Sequence, residues 1–127
     1  MRASWTIKRV PGKGLIEVTT RGTVTPAVSD RVMREIAALK PDPEKDRLLV
    51  DHRAAKLKFA SIDLFDLPQS YQILPSPERF RVATVFKELG ETQEFYRNIC
   101  RQHGFNRFEV FSDYDEALRW LMSPEGK

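Results

Sequence analysis

The sequence predicts an α/β fold with a mostly parallel sheet of about five strands, and three observations carry that expectation. From the second apolar run onward, short stretches rich in β-branched residues alternate with amphipathic stretches of helical period. The first two runs are instead joined by a tight turn, Pro11-Gly12-Lys13-Gly14, which marks an antiparallel hairpin. A length of 127 residues with an apolar share of 41% suits a single domain, 1–127, built on one core.

Each element has its own local reason. Residues 4–10 and 14–21 alternate apolar and polar as hairpin arms do, and Gly12 and Gly14 allow positive φ in the turn. Thr25 then stands as an N-cap before Pro26, and Ala27, Val28, Val32, Ile36 and Leu39 follow helical spacing as far as Lys40, ahead of Pro41 and Pro43. Residues 46–52 hold Leu48, Leu49 and Val50 between polar ends, the pattern of a central strand covered on both faces. A basic connector over 53–58 leads to Ser61, the expected N-cap of a helix over 61–67 that Pro68 interrupts, with 69–79 continuing it loosely as far as Pro75 and Pro77. Residues 80–86 are again β-prone. Residues 91–103 form a helix with Phe95, Ile99 and Cys100 as its apolar stripe and Gly104 as its stop. Residues 107–111 read as the last strand, and Asp113-Tyr114-Asp115-Glu116 as a capping box that opens a helix with Ala117, Leu118 and Leu121 inward. The order is β-β-α-β-α-β-α-β-α, with right-handed crossovers and the first strand antiparallel at an edge.

Composition narrows the function. The formal net charge is +3, and the basic excess lies in residues 1–64, which hold 13 basic and 8 acidic groups against 8 and 10 in the remainder. No concentrated basic stripe with interleaved aromatics occurs, so nucleic acid is not an expected partner. Nor is there a run of about 18 uncharged apolar residues, or an apolar core in the first ten, so no transmembrane segment or secretory signal is expected and the location reads as cytoplasmic. Cys100 is the sole cysteine, and His52 and His103 are the only histidines, which excludes an internal disulfide and a CxxC zinc site; no metal or cofactor is expected. Phosphate-cradling glycine motifs, HExxH and GxSxG are all missing, so the chain is not expected to be an enzyme.

Several residues are candidates for function. Asp51 and His52 fall at the carboxyl end of the third strand, where ligands collect in open α/β sheets, although neighbours in a strand point to opposite faces. Arg53, Lys56 and Lys58, interleaved with Leu57 and Phe59, make either a contact for an anion or acidic partner or a solvated loop. Phe59, Phe65, Tyr71, Ile73 and Leu74 exceed what one short helix needs, and form a cavity for a small apolar ligand, a self-association face, or ordinary core. Cys100 reads as a small core residue, and His103 as a cation-capable residue at a helix end.

Beyond these patterns, the element order, the strand closing in Val50-Asp51, the Phe59-Ala60-Ser61 segment, the strand Arg81–Val85 and above all the ending EVFSDYDEALRWL (Glu109–Leu121) resemble the SpoIIAA-like (STAS/SEC14-like) group of STAS domains. The resemblance runs over nearly the whole chain. It implies a right-handed β/α superhelix acting as a non-enzymatic regulatory or scaffolding module, through contact with a protein partner that the resemblance does not identify, and as a homodimer. In the anti-sigma-factor antagonists of that family, a serine opening the helix after the third strand is phosphorylated within an Asp-Ser-(Ser/Thr)-Gly motif. Ser61 holds the matching position, while Ala60 replaces the acid and Asp63 the glycine. The SEC14-like label implies an alternative, a carrier or sensor of a small apolar or amphipathic ligand held between the sheet and the helix around Pro68.

Overall fold

A computed structural model describes residues 2–58, 74 and 78–123. The expectations placed on Phe59, Ser61, Phe65, Pro68, Tyr71 and Ile73 lie outside the described residues.

Five strands form one sheet in chain order: β1 (Ser4–Val10), β2 (Leu15–Val24), β3 (Arg47–Leu57), β4 (Arg81–Val85) and β5 (Arg107–Phe111). β1 runs antiparallel to β2 at one edge, and the remaining pairs are parallel, as the sequence predicts. Gly14 closes the hairpin turn at positive φ, where an added Cβ would collide with the Lys45 carbonyl. Its own carbonyl accepts from the Arg47 N–H and so starts the β2–β3 ladder.

Helices α1 (Pro26–Ala38) and α2 (Glu91–Gln102) cover one face of the sheet, and α3 (Tyr114–Met122) packs on the other. Strand alternation sorts the core between them. Ile16, Val18, Leu48, Val50, Val82, Phe108 and Val110 point to the α1 face, whereas Leu15, Leu49, Ala83, Val85 and Phe111 point to the α3 face. Because both faces of the central strands are covered, Leu48 to Asp51 are buried without a break, and so is every residue of β4. Each such aliphatic side chain contributes roughly 1.5–3 kcal/mol of burial.

The structure corrects several details. β3 does not end near His52 but continues to Leu57, so the basic connector is strand. Its extra length has a partner: β2 also runs on, pairing Arg21 to Val24 with Ala54 to Leu57. Between the two ladders Thr20 opposes both His52 and Arg53, a β-bulge that resets the alternation. Leu48, Val50 and His52 share the α1 face before it, and Leu57 returns to that face after it. In α1 the buried stripe is Val32, Met33 and Ile36, while Leu39 lies at the C-cap and is 40% exposed. In α2, Tyr96 rather than Phe95 joins Ile99 and Cys100 in the core, and Phe95 is 42% exposed. Asp113 caps α3 by accepting the Asp115 N–H, without a reciprocal capping box, and Leu118 is only partly buried.

Candidate functional site

The carboxyl ends of β2, β3 and β4 gather the strand-end residues that the sequence singles out. On the α3 face, Asp51 is nearly buried, and its carboxylate accepts three hydrogen bonds from Arg53: from the backbone N–H and from Nε at 3.0 Å, and from Nη2 at 2.9 Å. Burial pushes the Asp51 carboxyl up, but the Arg53 hydrogen bonds and charge outweigh it and hold the group below the usual aspartate range. The Arg53 guanidinium in turn lies 5.2 Å over the Tyr114 ring, and the Tyr114 hydroxyl donates to Glu17 Oε2 at 2.9 Å. Burial and the Glu17 carboxylate raise the Tyr114 phenol to about 12. The chain Glu17, Tyr114, Arg53, Asp51 therefore ties the start of α3 to β2 and β3.

On the α1 face the bulge presents His52. Its Nδ1 lies 2.7 Å from the Thr20 hydroxyl, which also donates to the Asp51 carbonyl, and its ring sits 5.7 Å from that of Phe86. Burial pushes the imidazole down to about 4, against a smaller upward pull from Asp51, so it is neutral near pH 7. A cleft of about 350 Å³ opens beside it, lined by His52, Ala55, Leu57, Phe86, Lys87, Glu88 and Gln93. The cleft lies where β3 continues past the last residue of β4 that pairs with it.

Asp51 and His52 are thus close in sequence and separated by the sheet, with Asp51 committed to Arg53 and His52 to Thr20. Arg53 belongs to the Asp51 pair, whereas Lys56 and Lys58 are exposed along and just beyond the β3 extension. Leu74, the described member of the apolar set, is buried in the α1-face core. Cys100 is buried there too, and burial raises its thiol to about 12. His103 forms the C-cap of α2, with Nδ1 2.9 Å from the Ile99 carbonyl. Tyr114, Glu17 and Thr20 were not foreseen as site residues. Among them only Tyr114, three residues beyond the strand end in the EVFSDYDEALRWL segment, carried a sequence signal. Among the described residues no cluster of three metal-ligating side chains occurs, and no helix is long and apolar enough to cross a membrane.

No protein-family model matches the chain, and no curated protein matches its sequence. Solved structures do. An uncharacterized protein of the DUF3478 family with a SpoIIAA-like fold, from Shewanella loihica PV-4, aligns over 94% of this chain and 93% of its own at 19% identity and a TM-score of 0.61. An anti-sigma factor antagonist from Mycobacterium paratuberculosis aligns over 96% of each chain at 17% identity and a TM-score of 0.65. The two alignments span almost the whole of each chain, and the fold is SpoIIAA-like, as the sequence resemblance implies.

Proposed function

We propose that this SpoIIAA-like fold serves as a cytosolic, non-enzymatic regulatory or scaffolding module that works by binding another protein and is itself a homodimer. The observation that carries the reading is the β2–β3 extension. Its polar groups are not arranged to react: Asp51 is neutralised by Arg53, and His52 is neutral and bound to Thr20. What it offers instead is surface: Ala54, Lys56 and Lys58 are exposed, while Ala55 and Leu57, which alternate with them, line the cleft. The likeness in fold to an anti-sigma factor antagonist supports a regulatory role. Four large apolar side chains left exposed, Leu39, Leu89, Phe95 and Met122, support self-association. Ser61, three residues beyond Lys58 in sequence, is the candidate switch in this reading.

The test compares the wild-type protein with Lys56→Glu/Lys58→Glu, purified gently from the native host and weighed by native mass spectrometry. Both lysines are exposed, so the variant should keep its circular dichroism spectrum. A stoichiometric protein partner retained by the wild type and lost in the variant supports the reading. Equal retention by both, or no protein partner at all, refutes it. The alternative, a carrier of a small apolar or amphipathic molecule, draws on Ala55, Leu57 and Phe86 in the same cleft. An added mass of a few hundred daltons on the wild-type chain would favour it, and light scattering decides the homodimer.

A further inference from the structure

We propose that the amino ends of β3, β4 and β5 form a binding site for a small phosphate-type oxyanion. Each of these strands begins with arginine: Arg47, Arg81 and Arg107. The register sets them side by side, because Leu48 pairs with Val82 and Arg81 with Arg107. Leu49, Ala83 and Phe111, an even number of residues further along the same strands, pack on the α3 face, and alternation puts the three arginines on that face as well. Arg79, Pro43 and Glu44 complete a cleft of about 180 Å³ around them.

Among the described residues, four guanidinium groups line this cleft with one carboxylate, and that carboxylate, Glu44, is paired with Arg79. Arg81 is buried; its Nη1 donates to the carbonyls of Leu121 and Ser123 at the end of α3, and its Cζ lies 5.3 Å over the Trp120 ring. It is therefore held in place rather than free to swing into solvent. Among the described residues, neither Arg47 nor Arg107 has a side-chain ion pair or hydrogen bond. Like charges facing each other across neighbouring strands repel, and an oxyanion seated between them would reverse the sign of that interaction. The guanidinium fork suits this task, because two parallel N–H groups match two oxygens of a phosphate. The size points the same way, since the cleft is smaller than the roughly 300 Å³ at which pockets for larger organic ligands begin. The site lies at the far end of the strands from the β2–β3 extension, so its test does not bear on the protein-binding reading.

The experiment measures the thermal midpoint and titration calorimetry of the full chain with inorganic phosphate and with phenyl phosphate, replacing chloride at constant ionic strength. A saturable rise in midpoint is expected for the wild type, because a ligand that binds only the folded state stabilises it. Arg47→Gln/Arg107→Gln should weaken binding by about ten-fold or more, while Arg47→Lys/Arg107→Lys, which keeps charge but loses the fork, should fall between. Arg31→Gln, a cation stacked on Trp5, should leave it unchanged. Phenyl phosphate binding as well as inorganic phosphate would assign the site to phosphate monoesters, and weaker binding to the free ion. No saturable effect from either anion, or equal affinity in wild type and Arg47→Gln/Arg107→Gln, would overturn the proposal.

Discussion

The two ends of the parallel strands handle charge in opposite ways. At the carboxyl end, polar side chains are spent on one another: Asp51 on Arg53, Tyr114 on Glu17, His52 on Thr20. At the amino end, three arginines stand in a row, and only Arg81 is anchored by helix carbonyls. Ligands in open parallel sheets usually gather at the carboxyl end. Here that end uses its polar groups to pin a bulged strand and the start of α3, whereas at the other end Arg47 and Arg107 have no side-chain ion pair among the described residues. Charge that survives internal pairing, rather than charge density along the chain, is what marks a candidate site.

The amino end should give the largest effect when it is broken at its anchor. Arg81→Ala removes the donor to the Leu121 and Ser123 carbonyls and the cation over Trp120, inside a buried environment. A loss of about 3 kcal/mol is expected from carbonyls left without that donor and from lost packing. Urea unfolding would show it as a lower midpoint at unchanged slope. An unchanged midpoint would mean that the arginine row does not hold α3 to the sheet.

Acid should strike the carboxyl end first. The folded value of His52, about 4, lies below its ordinary 6.5, so between them the unfolded chain binds the extra proton. Stability is therefore complete above about pH 6.5 and falls as pH drops toward 4, by roughly 3 kcal/mol. Asp51 is depressed, and its contribution persists until pH falls through its lowered value, beneath the ordinary aspartate range. Unfolding midpoints at pH 7.5 and 4.5 should differ in the wild type and much less in His52→Asn. A wild-type midpoint indifferent to this interval would show that the imidazole is not shielded by its packing.

A smaller effect tests the link to α3 at the same end. Tyr114→Phe deletes the donor to Glu17 and leaves the ring under Arg53, so a loss of about 1 kcal/mol is expected. Calorimetric unfolding would measure it. Arg53→Ala in the same background should then cost the same as in the wild type if the two contacts act independently, and a different amount if they form one network.

Much of this architecture is legible in the residues themselves, because local rules suffice for it. Thr25-Pro26 starts α1, the Gly12 and Gly14 turn makes the hairpin, and Leu48-Leu49-Val50 is a strand covered on both faces. What was not legible depends on pairing across the sheet. Arg53 to Leu57 look like a connector because four of the five residues are charged or small, yet they are strand because β2 extends to meet them. Phe95 and Tyr96 are aromatic neighbours on a helix, and it is Tyr96, packed edge-on to Phe108, that enters the core. The arginine row had a signal that composition concealed. Arg47, Arg81 and Arg107 each stand directly before an apolar run, and parallel strands aligned at their first residues must bring such positions together.

The smallest expected effect separates the two ends by sign. In phosphate-free buffer of low ionic strength, Arg47→Gln/Arg107→Gln should stabilise the fold by about 0.5 kcal/mol, since it relieves repulsion along the row. Raising sodium chloride from about 10 mM to about 1 M shortens the screening length from about 30 Å to about 3 Å, and should produce the same relief in the wild type without mutation. At the carboxyl end the electrostatics run the other way, because salt weakens the attraction between Asp51 and the half-exposed Arg53. The salt dependence of the unfolding midpoint in wild type, in Arg47→Gln/Arg107→Gln and in Asp51→Asn therefore reads the two ends independently. Salt should help the wild type more than the double arginine variant, and Asp51→Asn should gain more from salt than the wild type does. If all three respond alike, the arginines are already neutralised within the chain, and the asymmetry between the strand ends is one of position rather than of charge.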